Sequence, residues 1–423
     1  MSNRLPPMLV RFAWAMMAMA VLSLLYTVVM TRLLHTPHPY GVTLFWGQFK
    51  WSDFTVFAER SHHFGSASYW DELNYPFTYP APLGVVFALL YKLPHPLALY
   101  LALCVAGLAL WAWWLAAKLA QSGVSHGSAV AFALIVLATA WPVAGLLNTA
   151  NIEGIVAILL AFGVFAVLRE RWWLGATLIG LAAPMKLFPF ILLALLLSRR
   201  RWREFAWGLA VAACATIASL AWLGPNVFAA QRHVDAGLRF IRMAFILSTQ
   251  RDALNYSHSL FSPLKFAVML TGRHIAHLAP HSAAETALLS TTLQIYMVAA
   301  AIFGLALYFA RIRKLPMLNQ VLALTICAVL LPPLSADYTL LELLLPFGLL
   351  CHYAVDAARN HQQPRGLGTC FVCFALIFSW ETFLTIRYSF DRPVRAAALT
   401  VLLVIVLRHP FEWPMLITQR EAA

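Results

Sequence analysis

The sequence predicts an all-α polytopic membrane protein, with one integral membrane domain over residues 1–423. Three observations carry that prediction. Hydrophobic residues make up 61% of the chain and charged residues 11%, against about 45–50% and about 25% in a soluble globular domain. Apolar runs recur from end to end, and several reach the roughly 20 residues that cross about 30 Å of hydrocarbon. The runs do not alternate apolar with polar positions, which argues against a β-barrel.

The first run extends from Phe12 to Leu34, behind Arg4 and Arg11. It is too long for a signal-peptide core and has no clear small-residue cleavage site. It therefore reads as an uncleaved anchor with its N-terminus in the cytoplasm. A polar, aromatic-rich loop follows over residues 35–80. Ala81–Leu93 is too short to span. Opened by Pro80 and Pro82, it reads as a helix partly embedded at the outer surface. Pro96–Lys118, Ser128–Leu147, Ile152–Leu168, Trp172–Leu197 and Phe205–Leu223 come next. A second loop, residues 224–282, separates them from Ala284–Ala310, Leu315–Leu331, Tyr338–Tyr353, Leu367–Ile386 and Val394–Leu407.

Charge sets the orientation. The formal net charge is +13, yet the basic residues cluster at the ends of apolar runs, as in RERWW (169–173), SRRRWR (198–203) and RIRK (311–314). The positive-inside rule accounts for such clusters. A nucleic-acid face would form a continuous stripe instead, so no nucleic-acid partner is expected. RERWW and SRRRWR both belong inside, although one apolar run separates them. Pro184, Lys186 and Pro189 interrupt that run, which predicts a broken helix pair turning back near Lys186. Irregular backbone at this depth is tolerated where it lines a cavity. The loops at 35–80, 148–154, 224–282, 332–338 and 387–395 then share the outer face. The six cysteines all lie in or at the ends of apolar runs. They read as buried small hydrophobes, and CFVC (370–373) lacks the second ligand pair of a zinc site.

The outer face gathers most of the polar chemistry. The opening loop alone carries Asp53, Glu59, Arg60, Asp71 and Glu72. Convergent polar groups on one side of an apolar protein predict a cavity at the membrane surface. A lipid-borne sugar phosphate would need a carboxylate base for an acceptor hydroxyl and cations for the departing phosphate. Asp53, between Trp51 and Phe54 near the interface, fits the base. Asp71 and Glu72 read as a solvated turn, and His62 and His63 as surface histidines. Lys186, at a helix break, suits an anion. Arg387, Arg392 and Arg395 sit on the face where positive charge is normally avoided, and a lipid phosphate would favour them there.

The same residues carry a resemblance. Asp-Phe-x-Val-Phe from Asp53, then Gly65, Tyr69 and Tyr-Pro-x-Pro-Leu (79–83) resemble the first loop of glycosyltransferase family 87. NTANIEGIVAILL (148–160), GLAAPMKLFPFILLALLL (180–197), NYSHSLFSPL (255–264) and LPPLSADYTLLELLLPF (331–347) follow in the family's order. Asn-x-Glu-Gly and Met-Lys-x-x-Pro also look like the catalytic subunit of glycosylphosphatidylinositol mannosyltransferase. The resemblance covers about Trp51 to Phe347. It implies a GT-C-like bundle of about ten to thirteen transmembrane helices with two larger extracytoplasmic loops. It implies Asp53 as catalytic base, and Lys186, Asn151, Glu153, Asn255, Arg387, Arg392 and Asp337 as substrate-binding candidates. Asn151 and Glu153 stand where family members often carry Gln and Asn, and Asp337 where many carry His. Trp51 occupies the place of the first acid of a DxD pair, so no metal or other cofactor is expected.

The expected function is inverting transfer of a hexose, taken as mannose, from a polyprenyl-phosphate sugar to a lipid or glycan acceptor. The enzyme would sit among membrane lipids in the cell (inner) membrane as a multi-pass protein, with its site extracytoplasmic. A lipid-linked glycan transporter or flippase is the alternative from another class, and a polysaccharide polymerase or ligase a third reading. A repeat between halves, usual in transporters, is not visible.

Overall fold

The computed structural model describes residues 4–35, 50–57, 78–249, 257–380 and 391–413. Among these residues every regular element is helical. In order, the α-helices are α1 (Pro7–Val28), α2 (Ser52–Thr55), α3 (Ala81–Tyr91), α4 (Pro96–Gln121), α5 (His126–Thr139), α6 (Trp141–Thr149), α7 (Glu153–Leu168) and α8 (Trp172–Ala182). There follow α9 (Ala194–Ser198), α10 (Trp202–Leu223), α11 (Val227–Ile241), α12 (Phe261–His274), α13 (Ala283–Ala310), α14 (Met317–Leu330), α15 (Leu344–Arg359), α16 (Leu367–Phe378) and α17 (Asp391–Arg408).

Five of the described helices are long and apolar enough to cross a bilayer: α1, α4, α10, Ala283–Lys314 and Asp337–Arg359. The pair α5 and α6, bent by 56°, makes a sixth. The break falls at Ala140, whose backbone is extended, with Pro142 in the first turn of α6. Proline lacks the N–H that would continue the ladder. Several apolar runs expected as spans are shorter arms packed inside the bundle, including α7, α8, α14 and α16. The protein is a multi-pass, all-α membrane protein.

The run around Lys186 is broken, as its prolines predict. α8 has 11 residues, about 16 Å at 1.5 Å per residue. That is half a membrane thickness. The chain turns over residues 183–187 and returns as Phe188–Ser198. Both basic ends meet: the Arg201 guanidinium lies 5.0 Å from the Trp172 ring, and Trp173 packs on Trp207 at 6.0 Å. RERWW and SRRRWR therefore share one end of the bundle, and Lys186 is left at the opposite tip. Close packing holds the hairpin against α10. A Cβ on Gly180 would lie 2.5 Å from the Gly208 carbonyl oxygen.

The segment Asp337–Arg359 runs through the centre, opening as a 3-10 turn over Asp337–Leu343. Beside it, α14 is buried on every side. Its Asn319 donates to the carbonyls of Val406 and His409 and accepts from the Phe411 amide, which fastens the chain after α17. The second loop is largely helical, since α11 and α12 lie within residues 224–282. α3 is neither a span nor loosely embedded. Its Ala81 packs with Leu220 and Leu223 of α10 and Ala230 and Val234 of α11, so it walls the face that carries Asp53. Five cysteines are buried, Cys214 is exposed, and all six are free thiols.

Candidate active site

Asp53 lies on the single turn α2, whose position is fixed by two attachments. The Trp51 amide donates to the Asn148 carbonyl at 2.7 Å, tying the turn to the end of α6. Phe54 and Phe57 are buried in an aromatic cluster. Phe54 stacks on Tyr100 at 5.2 Å and meets Phe87 at 5.8 Å, and Phe57 meets Tyr79 at 5.5 Å. Tyr91 donates to the Phe54 carbonyl. The sequence reading placed Trp51 and Phe54 at the lipid interface. Phe54 instead points into the protein at 1% exposure. It anchors the base because burying an aromatic ring is worth more than floating it at the interface.

Asn151 orients the carboxylate. Its Oδ1 accepts from the Glu153 amide at 3.0 Å, which turns its Nδ2 toward Asp53 Oδ2 at 2.7 Å and the Tyr79 hydroxyl at 3.3 Å. Tyr100 donates to the Asn151 carbonyl. Burial raises the Asp53 carboxyl above its ordinary value; the Asn151 hydrogen bond, the Lys186 charge and a Thr149 hydrogen bond pull it back only in part. A half-buried carboxylate with a raised pKa is a better proton acceptor than a solvated one.

Lys186 reaches the same place from the hairpin tip. Its Nζ is 3.0 Å from Glu153 Oε2, and its side chain keeps 15% exposure while Glu153 has none. The rings of Tyr79 and Tyr338 flank it at 5.1 Å and 5.0 Å. Aromatic faces hold a cation without neutralising it. Lys186 thus stands between Glu153 and the Asp53 pocket.

A second polar group adjoins the first through Tyr338. Asp337 accepts from Trp141 at 2.6 Å and from Arg395 at 2.8 Å, and pairs with Arg392. His258 lies 3.8 Å from Asp337 and 2.9 Å from Ser335 Oγ. Burial, then the charges of Arg392 and Arg395, hold His258 well below its ordinary pKa, so the ring is neutral. Trp141 starts α6, and Thr149 and Asn151 follow at its end. The nine residues of α6 separate the two groups by about 13 Å, roughly the span between a sugar's acceptor side and a departing phosphate. Asp337, where relatives often carry His, brings two arginines with it, so the positive charge is kept rather than lost.

Asp53, Asn151, Glu153 and Lys186 therefore come together, with Asp337 and Arg392 beside them. Asn255 and Arg387 lie outside the described residues, as do Glu59, Arg60, His62, His63, Asp71 and Glu72. Sequence reasoning gave no role to Thr149, Tyr79, Tyr100, Tyr338, Trp141, His258 or Glu342. Glu342 was detectable as the sole carboxylate inside LLELLLPF, since an ionisable residue inside a span marks a functional site. The others carried no such signal. Among the described residues no cluster of His, Cys, Asp or Glu could hold a metal ion.

The family model of glycosyltransferase family 87 matches residues 77–334. The chain belongs to glycosyltransferase family 87. It is a glycosyltransferase. The match takes in Asn151, Glu153, Lys186 and His258; Asp53 precedes it and Asp337 follows it. No curated protein and no solved structure matches the chain.

Proposed function

We propose that this glycosyltransferase transfers mannose from a polyprenyl-phosphate sugar to a lipid or glycan acceptor, with inversion. Asp53 is the base. The acceptor hydroxyl attacks the anomeric carbon opposite the phosphate. A bond from acceptor oxygen to that carbon forms, the bond to the phosphate oxygen breaks, and the acceptor proton passes to Asp53. The polyprenyl phosphate leaves with the bonding pair. Lys186, Arg392 and Arg395 are the cations near enough to the site to favour that charge. No metal ion is assigned a part. The observation that carries the reading is the Asp53–Asn151 contact at 2.7 Å, which aims a raised-pKa carboxylate into a pocket shared with Lys186.

Mannose is the assigned sugar because Asn-x-Glu-Gly and Met-Lys-x-x-Pro resemble the glycosylphosphatidylinositol mannosyltransferase subunit. The site belongs on the extracytoplasmic face of the cell (inner) membrane, since the hairpin's two basic clusters lie at the opposite end from Lys186 and positive charge favours the cytoplasm. The experiment is transfer from a panel of labelled polyprenyl-phosphate sugars by the purified protein in lipid nanodiscs. Transfer from the mannose donor with inverted linkage supports the reading. Transfer only from nucleotide sugars, or none from any lipid-phosphate sugar, ends it.

A further inference from the structure

Glu342 has no part in the chemistry above, yet it is built into the site. It lies on the 3-10 turn Asp337–Leu343 and is 7% exposed. Its carboxyl is within hydrogen-bonding contact of Glu153, and Lys186 is the cation acting on it. Among the described residues no hydrogen-bond donor reaches Glu342 Oε1 or Glu153 Oε1. Two ionised carboxylates only accept hydrogen bonds, and at this separation, away from water, they do not both ionise. One proton between them supplies the missing donor.

The remaining surroundings do not offer another cation. Glu342 lines an apolar cavity with Cys104 and Trp111 of α4, Gly154 of α7 and Thr325 of α14. The Tyr100 hydroxyl stands near Cys104 and Glu153. Lys186, between the rings of Tyr79 and Tyr338, is the one positive charge these described neighbours present.

We infer that Glu342 is a positioning residue: it shares one proton with Glu153, so that Glu153, Glu342 and Lys186 together carry no net charge. This rests on the proposed function for its consequence but not for its geometry. With the proton in place, Lys186 is balanced once and the site adds no negative charge next to Asp53. Without it the group would be anionic. An anion there would oppose an arriving phosphate and push the Asp53 proton on more tightly. The fold thus stores a proton where a negatively charged donor has to bind.

The test has two readouts. Infrared spectroscopy of the purified Asp53→Asn protein near neutral pH removes the base from the signal. A protonated-carboxyl carbonyl band is expected there, and its loss when Glu342→Gln is added. Absence of the band in Asp53→Asn overturns the proposal. In the active protein, Glu342→Gln is expected to leave the acid limb of kcat/KM against pH where wild type has it, because a carboxamide mimics the protonated acid. Lys186→Gln is expected to move that limb to higher pH. A downward shift in Glu342→Gln would mean that an ionised carboxylate was removed, and the shared proton would be refuted. A protein inactive on every lipid-phosphate sugar would overturn the proposed function, while the infrared band would still decide the shared proton.

Discussion

Substituting Asp53 by Asn separates chemistry from folding at one atom. A general base contributes about 10²–10⁴-fold to rate, or roughly 3–5 kcal/mol at about 1.36 kcal/mol per decade. The structural cost is small by comparison. The carboxamide keeps an oxygen for the Asn151 donor at 2.7 Å, so a charged hydrogen bond of about 1.5–3 kcal/mol becomes a neutral one of about 0.5–1.5 kcal/mol. The buried negative charge that raises the Asp53 pKa disappears at the same time. The sign of the linkage follows. A carboxyl whose folded pKa lies above its unfolded value adds stability below the unfolded pKa, and that stability is lost as pH rises through the folded one. At neutral pH the ionised Asp53 therefore works against the fold. Asp53→Asn is expected to lower transfer from labelled polyprenyl-phosphate mannose by 10²-fold or more, with a Tm in detergent equal to or above wild type. Transfer at the wild-type rate would show that Asp53 is not the base. A strongly lowered Tm would show that the carboxylate is structural.

Asn151→Ala removes the donor that favours ionised Asp53; the acid limb of kcat/KM should move up by about one to two pH units, and an unmoved limb would argue against the contact. Gly154→Ala puts a Cβ 2.5 Å from Cys104 Sγ and 2.9 Å from the Tyr100 hydroxyl. Overpacking of about 1–3 kcal/mol should lower Tm, and adding Cys104→Ala should recover part of it. Arg395→Gln takes one partner from a buried pair with Asp337. That should cost about 3–5 kcal/mol, read as a lower Tm, with partial rescue by Asp337→Asn.

The proline and charge pattern of residues 169–203 predicted a hairpin, and the Arg201–Trp172 contact at 5.0 Å is its signature. That element was legible because like charges and helix-breaking residues leave a one-dimensional trace. Glu153 and Lys186 were legible for the same reason: an ionisable group in an apolar run is expensive and stands out. The aromatic cage of Asp53 was not. Phe54, Phe87, Tyr91 and Tyr100 are unremarkable residues in a chain that is 13% aromatic, and nothing in their spacing says that they meet. The outlook for helix count was similar. Apolar length marks a run as buried, but α14 is enclosed by protein and is not a separate full-length span.

The sequence by itself determined that this chain is a helical membrane protein, that its basic clusters lie at one end, and that Asp53, Asn151, Glu153 and Lys186 carry polar groups where hydrocarbon is the rule. Hydrophobicity and charge are sums over residues, so they survive without coordinates. Only the tertiary structure decided the partners. Asn151 turns to Asp53 because the Glu153 amide holds its other end, Lys186 meets Glu153 because the hairpin tip reaches α7, and Asp337 gathers Trp141, Arg395 and Arg392 from distant segments. Those pairings depend on distances of a few ångströms between residues up to two hundred positions apart, and such distances are fixed by packing, not by composition.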